Sequence, residues 1–119
     1  MSGRQKVIAV DLDGTLAYYD HWRGADHIGK PIETMVARVK YWLDAGHKVV
    51  IFTARITGDD DVSVEPARIM EIRNWLSACA GLPHNLDITN VKRKEFSEFW
   101  DDRAVGVVPN TGIRVGLAP

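Results

Sequence analysis

Val7-Ile8-Ala9-Val10-Asp11-Leu12-Asp13-Gly14-Thr15-Leu16 decides how the rest of the chain is read. Four apolar residues run into two carboxylates separated by one leucine, followed by a glycine and a threonine. A short apolar run that ends this abruptly reads as a strand buried on both faces. It would present Asp11 and Asp13 at its carboxyl end, where open α/β sheets hold their ligands.

The chain outward from this stretch alternates. Ile32 to Ala45 has Met35, Val36, Val39, Trp42 and Leu43 at helical spacing, with Gly46 as a stop. Val49-Val50-Ile51-Phe52 is a second buried strand, ending in Thr53-Ala54-Arg55. From Glu65, with Pro66 in the first turn, the pattern Ile69, Ile72, Trp75, Leu76, Cys79 predicts a second helix that Gly81 and Pro83 close. Leu86 to Thr89 is a short third strand, and Phe96 to Trp100 is an apolar segment ending in Asp101-Asp102-Arg103. Ala104 to Val108 is expected to form a further strand, or a short helix leading to one, before a turn at Pro109-Asn110-Thr111-Gly112. The β-α-β-α-β-β order predicts an α/β fold with a mostly parallel sheet and helices on both faces.

Composition bounds the function. The 119 residues suit one domain, and 45% hydrophobic with 26% charged residues is ordinary for a globular protein. A net charge of −1 argues against extensive phosphate-backbone binding, though not against a local basic patch. The single cysteine, Cys79, excludes an internal disulfide framework and a cysteine-rich zinc site, and reads as a core or helix-face residue. No apolar run is long enough for a membrane span, and no signal peptide is expected before the first strand, so a cytoplasmic location is the expectation.

Parallel connections would bring three strand ends together: Asp11 with Asp13, Thr53 with Arg55, and Asp101 with Asp102. Four carboxylates in one crevice repel one another unless a cation sits among them. Oxygen donors without clustered histidine or cysteine favour Mg²⁺ over zinc or copper. A carboxylate nucleophile, a second carboxylate to move protons, a hydroxyl and cationic side chains are what phosphoryl transfer through an acyl-phosphate requires.

At these residues the chain resembles the haloacid dehalogenase (HAD) superfamily of phosphohydrolases. Asp11-Leu12-Asp13-Gly14-Thr15-Leu16 is similar to its first signature, Thr53 to its second, Lys92 to its third and Asp101-Asp102 to its fourth, in that order. The resemblance implies a three-layer α/β/α Rossmann-like core across residues 1–119. It also implies a Mg²⁺-dependent phosphomonoesterase with Asp11 as nucleophile and metal ligand. Asp13 would be the general acid/base, with its backbone carbonyl on the metal. Thr53 and Lys92 would bind the phosphoryl group, and Lys92 is preferred to Lys94 because it follows the third strand directly. Asp102 would ligate the metal, with Asp101 behind it.

Many relatives carry a cap domain; here the segment 17–31 is only an extended loop, so the chain resembles a capless member. An open site suits a large substrate, or another subunit of a homo-oligomer could cover it. Asp-Leu-Asp-Gly-Thr-Leu-Ala, Thr-Ala-Arg and Asp-Asp-Arg are also similar to the phosphatase part of phage-type polynucleotide kinase-phosphatases, where the arginine at the position of Arg55 assists phosphate binding. The same motifs occur in small deoxyribonucleotidases. The phosphorylated substrate is therefore either a small molecule or a nucleic-acid end bearing a 3′-phosphate, and a non-catalytic binding or assembly module of the same fold is the rival.

Of the remaining residues, Trp42, Trp75 and Trp100 are expected in the core. Tyr18, Tyr19 and Trp22 lie on the loop and could face substrate or a subunit. His21, His27, His47 and His84 read as loop or helix-end residues, Asp59-Asp60-Asp61 as a solvated loop, and Arg103 as forming ion pairs outside the site.

Overall fold

The computed structural model describes residues 5–24, 26–57 and 65–116. The elements follow in the order β1 (Val7–Asp11), α1 (Glu33–Asp44), β2 (Lys48–Phe52), α2 (Pro66–Ala78), β3 (Asp87–Thr89) and β4 (Glu98–Trp100). The strands form one four-stranded, all-parallel sheet in the order β3-β2-β1-β4. The Asp59-Asp60-Asp61 segment lies outside the described residues.

Strand register explains which residues are buried. Ile8 pairs with Val49, and Val10 with Ile51 and Trp100, so these side chains share a face. Ile8, Val10, Val49, Ile51 and Ile88 belong to one core cluster with Met35, Val36 and Val39 of α1 and Ile69, Ile72, Trp75 and Leu76 of α2. At about 25 cal/mol per Å² of apolar area removed from water, this cluster is the main driving force for the fold. On the opposite face, Phe52 and Phe99 pack edge to face at 4.8 Å, with Phe96 a further 6.1 Å from Phe99. Among the described residues no helix covers that face. Helices on both faces were the expectation. Two successive crossovers in the same direction, β1 to β2 and β2 to β3, instead carry both helices onto one side.

The tryptophans expected in the core are there, two of them at its margin. Trp75 is buried and its indole N–H donates to the Gly29 carbonyl at 2.9 Å. Trp42 and Trp100 pack against each other at 5.1 Å, half-buried, with the Arg38 guanidinium over Trp100. Cys79 is exposed at the C-cap of α2 rather than in the core.

Ala104 to Val108 forms neither a strand of the sheet nor a helix. Residues 106–115 fold back on themselves, with the Val108 N–H donating to the Ile113 carbonyl at 2.7 Å and Val115 to Gly106 at 2.8 Å. Val105, Val107, Val108, Ile113 and Val115 are all exposed, so their apolar character reflects no burial in this core.

Because all strands are parallel, Asp11, Phe52, Thr89 and Trp100 end at one edge. The chain turns from β1 toward β2 on one side, while β4 lies on the other. The crevice between β1 and β4 is therefore the topological switch point, where such sheets bind ligands.

Candidate active site

A cavity of about 460 Å³ opens at this switch point, lined by Asp11, Asp13, Trp22, Arg55, Asp101 and Asp102 together with Tyr19, Phe52, Ala54 and Arg103. A larger groove of about 870 Å³ lies beside α1 and the end of α2, but it holds no cluster of acids, and the chemistry belongs to the smaller cavity.

Asp11, Asp101 and Asp102 each present a carboxylate oxygen within 4.8 Å of the others. Asp11 ends β1, and the aspartate pair follows β4, its neighbour in the sheet. Burial, then the negative charges of Asp101 and Asp102, then a hydrogen bond with Asp102, push the Asp11 carboxyl up to about 7. A carboxyl this reluctant to ionise beside two others is a set of donors that a divalent cation would relieve. All the donors are oxygen, which fits Mg²⁺.

The turn after β1 sets the geometry. Gly14 has φ +90, a conformation that side-chain-bearing residues rarely adopt. A Cβ there would lie 2.5 Å from Asp102 Oδ2, so the glycine also makes room for the carboxylate. Thr15 Oγ1 accepts the Asp102 N–H at 3.0 Å and ties this turn to the end of β4. Asp101 Oδ1 accepts the Arg103 N–H at 2.8 Å. Thr15 was legible only as part of a motif; its grip on Asp102 depends on β1 and β4 being neighbours, which no local signal gives.

Asp13 lies outside the three-carboxylate cluster. Arg55 Nε donates to its Oδ2 at 2.8 Å and Nη2 to its Oδ1 at 2.9 Å. The Arg55 guanidinium also donates to the His27 carbonyl at 2.8 Å and lies 5.0 Å from the centre of the Trp22 ring. Its side chain is only 5% exposed. Arg55 is thus a cation held in place at the cavity.

Two expected phosphate-binding groups lie elsewhere. Thr53 is buried at 1% exposure, and its Oγ1 accepts the Arg55 backbone N–H at 3.1 Å; it shapes the turn after β2 and does not line the cavity. Lys92 is exposed and borders a separate hollow with Lys94, Phe96 and Phe99. The connection after β3 carries it beside Phe96 and Phe99. Arg103, expected outside the site, lines the cavity instead, because the turn at Asp101 brings it back. Asp101 and Asp102 both reach Asp11, so the structure does not reserve the metal-facing place for Asp102.

The segment after Leu16 is a pinched loop. Tyr18 N–H donates to the Lys30 carbonyl at 2.9 Å, Ile32 N–H to the Leu16 carbonyl at 2.8 Å, and Ala17 bridges Pro31. Gly29 allows this closure, since a Cβ there would overlap the Tyr18 carbonyl. The loop's tip carries Tyr19 and Trp22, 44% and 56% exposed, to the cavity rim. His21 Nδ1 meets Asp20 at 3.0 Å, and His27 contributes its carbonyl to Arg55. His47 accepts the Lys6 N–H at a helix end, and His84 offers its carbonyl to Arg73.

Comparison with protein families, with curated proteins and with solved structures finds no match. No helix among the described residues is long and apolar enough to cross a membrane.

Proposed function

We propose that this chain is a Mg²⁺-dependent phosphomonoesterase of HAD type. The observation that carries the reading is the meeting of Asp11, Asp101 and Asp102 within 4.8 Å in a cavity that Arg55 also lines. The first carboxylate after β1 is the nucleophile. Its oxygen attacks phosphorus in line with the ester oxygen; the P–O ester bond breaks as the O–P bond to Asp11 forms. Asp13 gives its proton to the leaving oxygen. It then takes one from the water that attacks phosphorus, releasing inorganic phosphate and regenerating Asp11. Arg55 and Arg103 supply positive charge toward the phosphoryl oxygens. Asp11, Asp101 and Asp102 would hold the cation, with the Asp13 backbone carbonyl as the further donor that the HAD resemblance implies. When bound, Mg²⁺ offsets the repulsion between the attacking carboxylate and the phosphate. Thr53 and Lys92 belong to this reading through the resemblance alone.

The same reading carries the finer fold assignment, a capless three-layer α/β/α core in a cytoplasmic enzyme. The second helical layer that this assignment needs would be supplied against Phe52 and Phe99 by another subunit of a homo-oligomer. The substrate is a phosphorylated small molecule or a nucleic-acid end. Exposed Tyr19 and Trp22 on the rim favour a nucleotide or 3′-phosphate end, because aromatic faces stack bases.

Incubation with a generic aryl phosphate, with Mg²⁺ and with chelator, tests the activity. Mg²⁺-dependent release that Asp11→Asn abolishes is expected. No Mg²⁺-dependent release, and no loss on Asp11→Asn, would leave the non-catalytic binding or assembly module as the better reading. A panel of sugar phosphates, nucleotides and 3′-phosphorylated oligonucleotides then ranks the substrate classes.

A further inference from the structure

Both oxygens of Asp13 are engaged by one guanidinium, at 2.8 and 2.9 Å, in a pair whose side chains are 5% and 21% exposed. A carboxylate gripped by such a fork has one lone pair of each oxygen committed to the guanidinium. The guanidinium is itself held on two further sides, by the His27 carbonyl at 2.8 Å and the Trp22 ring at 5.0 Å. The Arg55 backbone is fixed by its N–H to Thr53 Oγ1. Asp13, Trp22 and Arg55 border the same cavity.

We propose that Arg55 is a phosphate-operated latch on Asp13. At rest the guanidinium occupies both carboxylate oxygens. A phosphate dianion entering the cavity presents two of its oxygens to the fork with more charge. It takes the guanidinium from Asp13 and frees for proton transfer the lone pairs that the fork had held. Trp22 and the His27 carbonyl keep the cation at the cavity wall throughout, so the swap needs a shift of the fork and no movement of the loop. Arg55 thereby acts as a positioning residue that makes the acid/base available when phosphate is present. The latch rests on the phosphohydrolase reading, because it assigns Asp13 that role.

Calorimetric titration of the whole chain with inorganic phosphate in saturating Mg²⁺ tests it. Asp13→Asn removes the competitor for Arg55, so phosphate should bind roughly tenfold more tightly, the scale of one charge-assisted hydrogen bond. In an Arg55→Ala background the same substitution should give no such gain. Arg55→Gln replaces Arg55→Ala if the latter does not fold. In turnover, Asp13→Asn should lower kcat and KM together, whereas loss of Arg55 raises KM. An Asp13→Asn gain of equal size in both backgrounds is simple relief of charge repulsion and overturns the latch, as does no gain in either. If turnover is intact but phosphate affinity ignores Asp13, only the latch fails. If the wild type neither binds phosphate nor turns over an aryl phosphate, the phosphohydrolase reading fails with it.

Discussion

Replacing Asp11 by asparagine should make the metal-free protein more stable at alkaline pH, although it removes the proposed nucleophile. In the folded chain the Asp11 carboxyl is raised from 3.8 to about 7, first by burial and then by Asp101 and Asp102. Between these two values the folded state binds a proton that the unfolded state has released. Stability is therefore lost as pH rises from about 4 to 7, and the loss is complete above that window. A shift of about 3 units corresponds to at most about 4 kcal/mol, which water in the open cavity screens to about 2 kcal/mol. Asparagine keeps the shape and never ionises. At pH 8 with chelator, Asp11→Asn should gain about 2 kcal/mol, or about 8 °C in Tm for a domain of this size. At pH 5 only about two-fifths of that gain should remain, and at pH 3.5 little of it. Saturating Mg²⁺ at pH 8 should reverse the order, raising the wild type by about 3 kcal/mol at a hundredfold excess over Kd while leaving the variant nearly unmoved. Thermal melts at three pH values, with Mg²⁺ and with chelator, measure all of this. A variant less stable than wild type at pH 8 in chelator, or a gain that does not depend on pH, would show that the three carboxylates are not crowded and would refute the reasoning.

Three further substitutions probe the framework. Gly14→Ala places a Cβ 2.5 Å from Asp102 Oδ2 and forces an unfavourable φ, so Mg²⁺ affinity by calorimetry should fall at least about tenfold, with about 1–2 kcal/mol of stability lost. Gly29→Ala drives a Cβ into the Tyr18 carbonyl and should cost about 2 kcal/mol or more, with faster proteolytic cleavage between residues 18 and 30 as the loop's neck opens. Lys92→Ala should change kcat/KM less than Arg103→Ala does, because Arg103 lines the carboxylate cavity and Lys92 does not; a larger loss at Lys92 would mean that the connection after β3 rearranges when phosphate binds.

The sequence carried the elements well where the signal was local. The apolar runs before Asp11 and Thr53 are strands, and the 3.6-residue spacing of Met35, Val36 and Val39 is a helix face, because each pattern is set by the period of its own backbone. It misled at Ala104 to Val108, where Val105, Val107 and Val108 have strand character but no place in the sheet. Which side α1 and α2 pack on was not legible, because it depends on strand order, and strand order is a non-local property. The site shows the same division. Asp11 and Asp101-Asp102 were legible as strand-end acids, and their meeting followed once β1 and β4 were neighbours. The fork of Arg55 on Asp13 was not legible. Its partners among the described residues include Asp13 in the turn after β1, Trp22 and His27 of the loop, and Thr53 just after β2. The loop reaches them only because its neck is closed by Tyr18, Gly29 and Lys30. Backbone closure at the loop's neck thus bears on where Arg55 points. Substitutions at Gly29, which touches neither phosphate nor metal, should therefore alter KM through Arg55 before they unfold the chain.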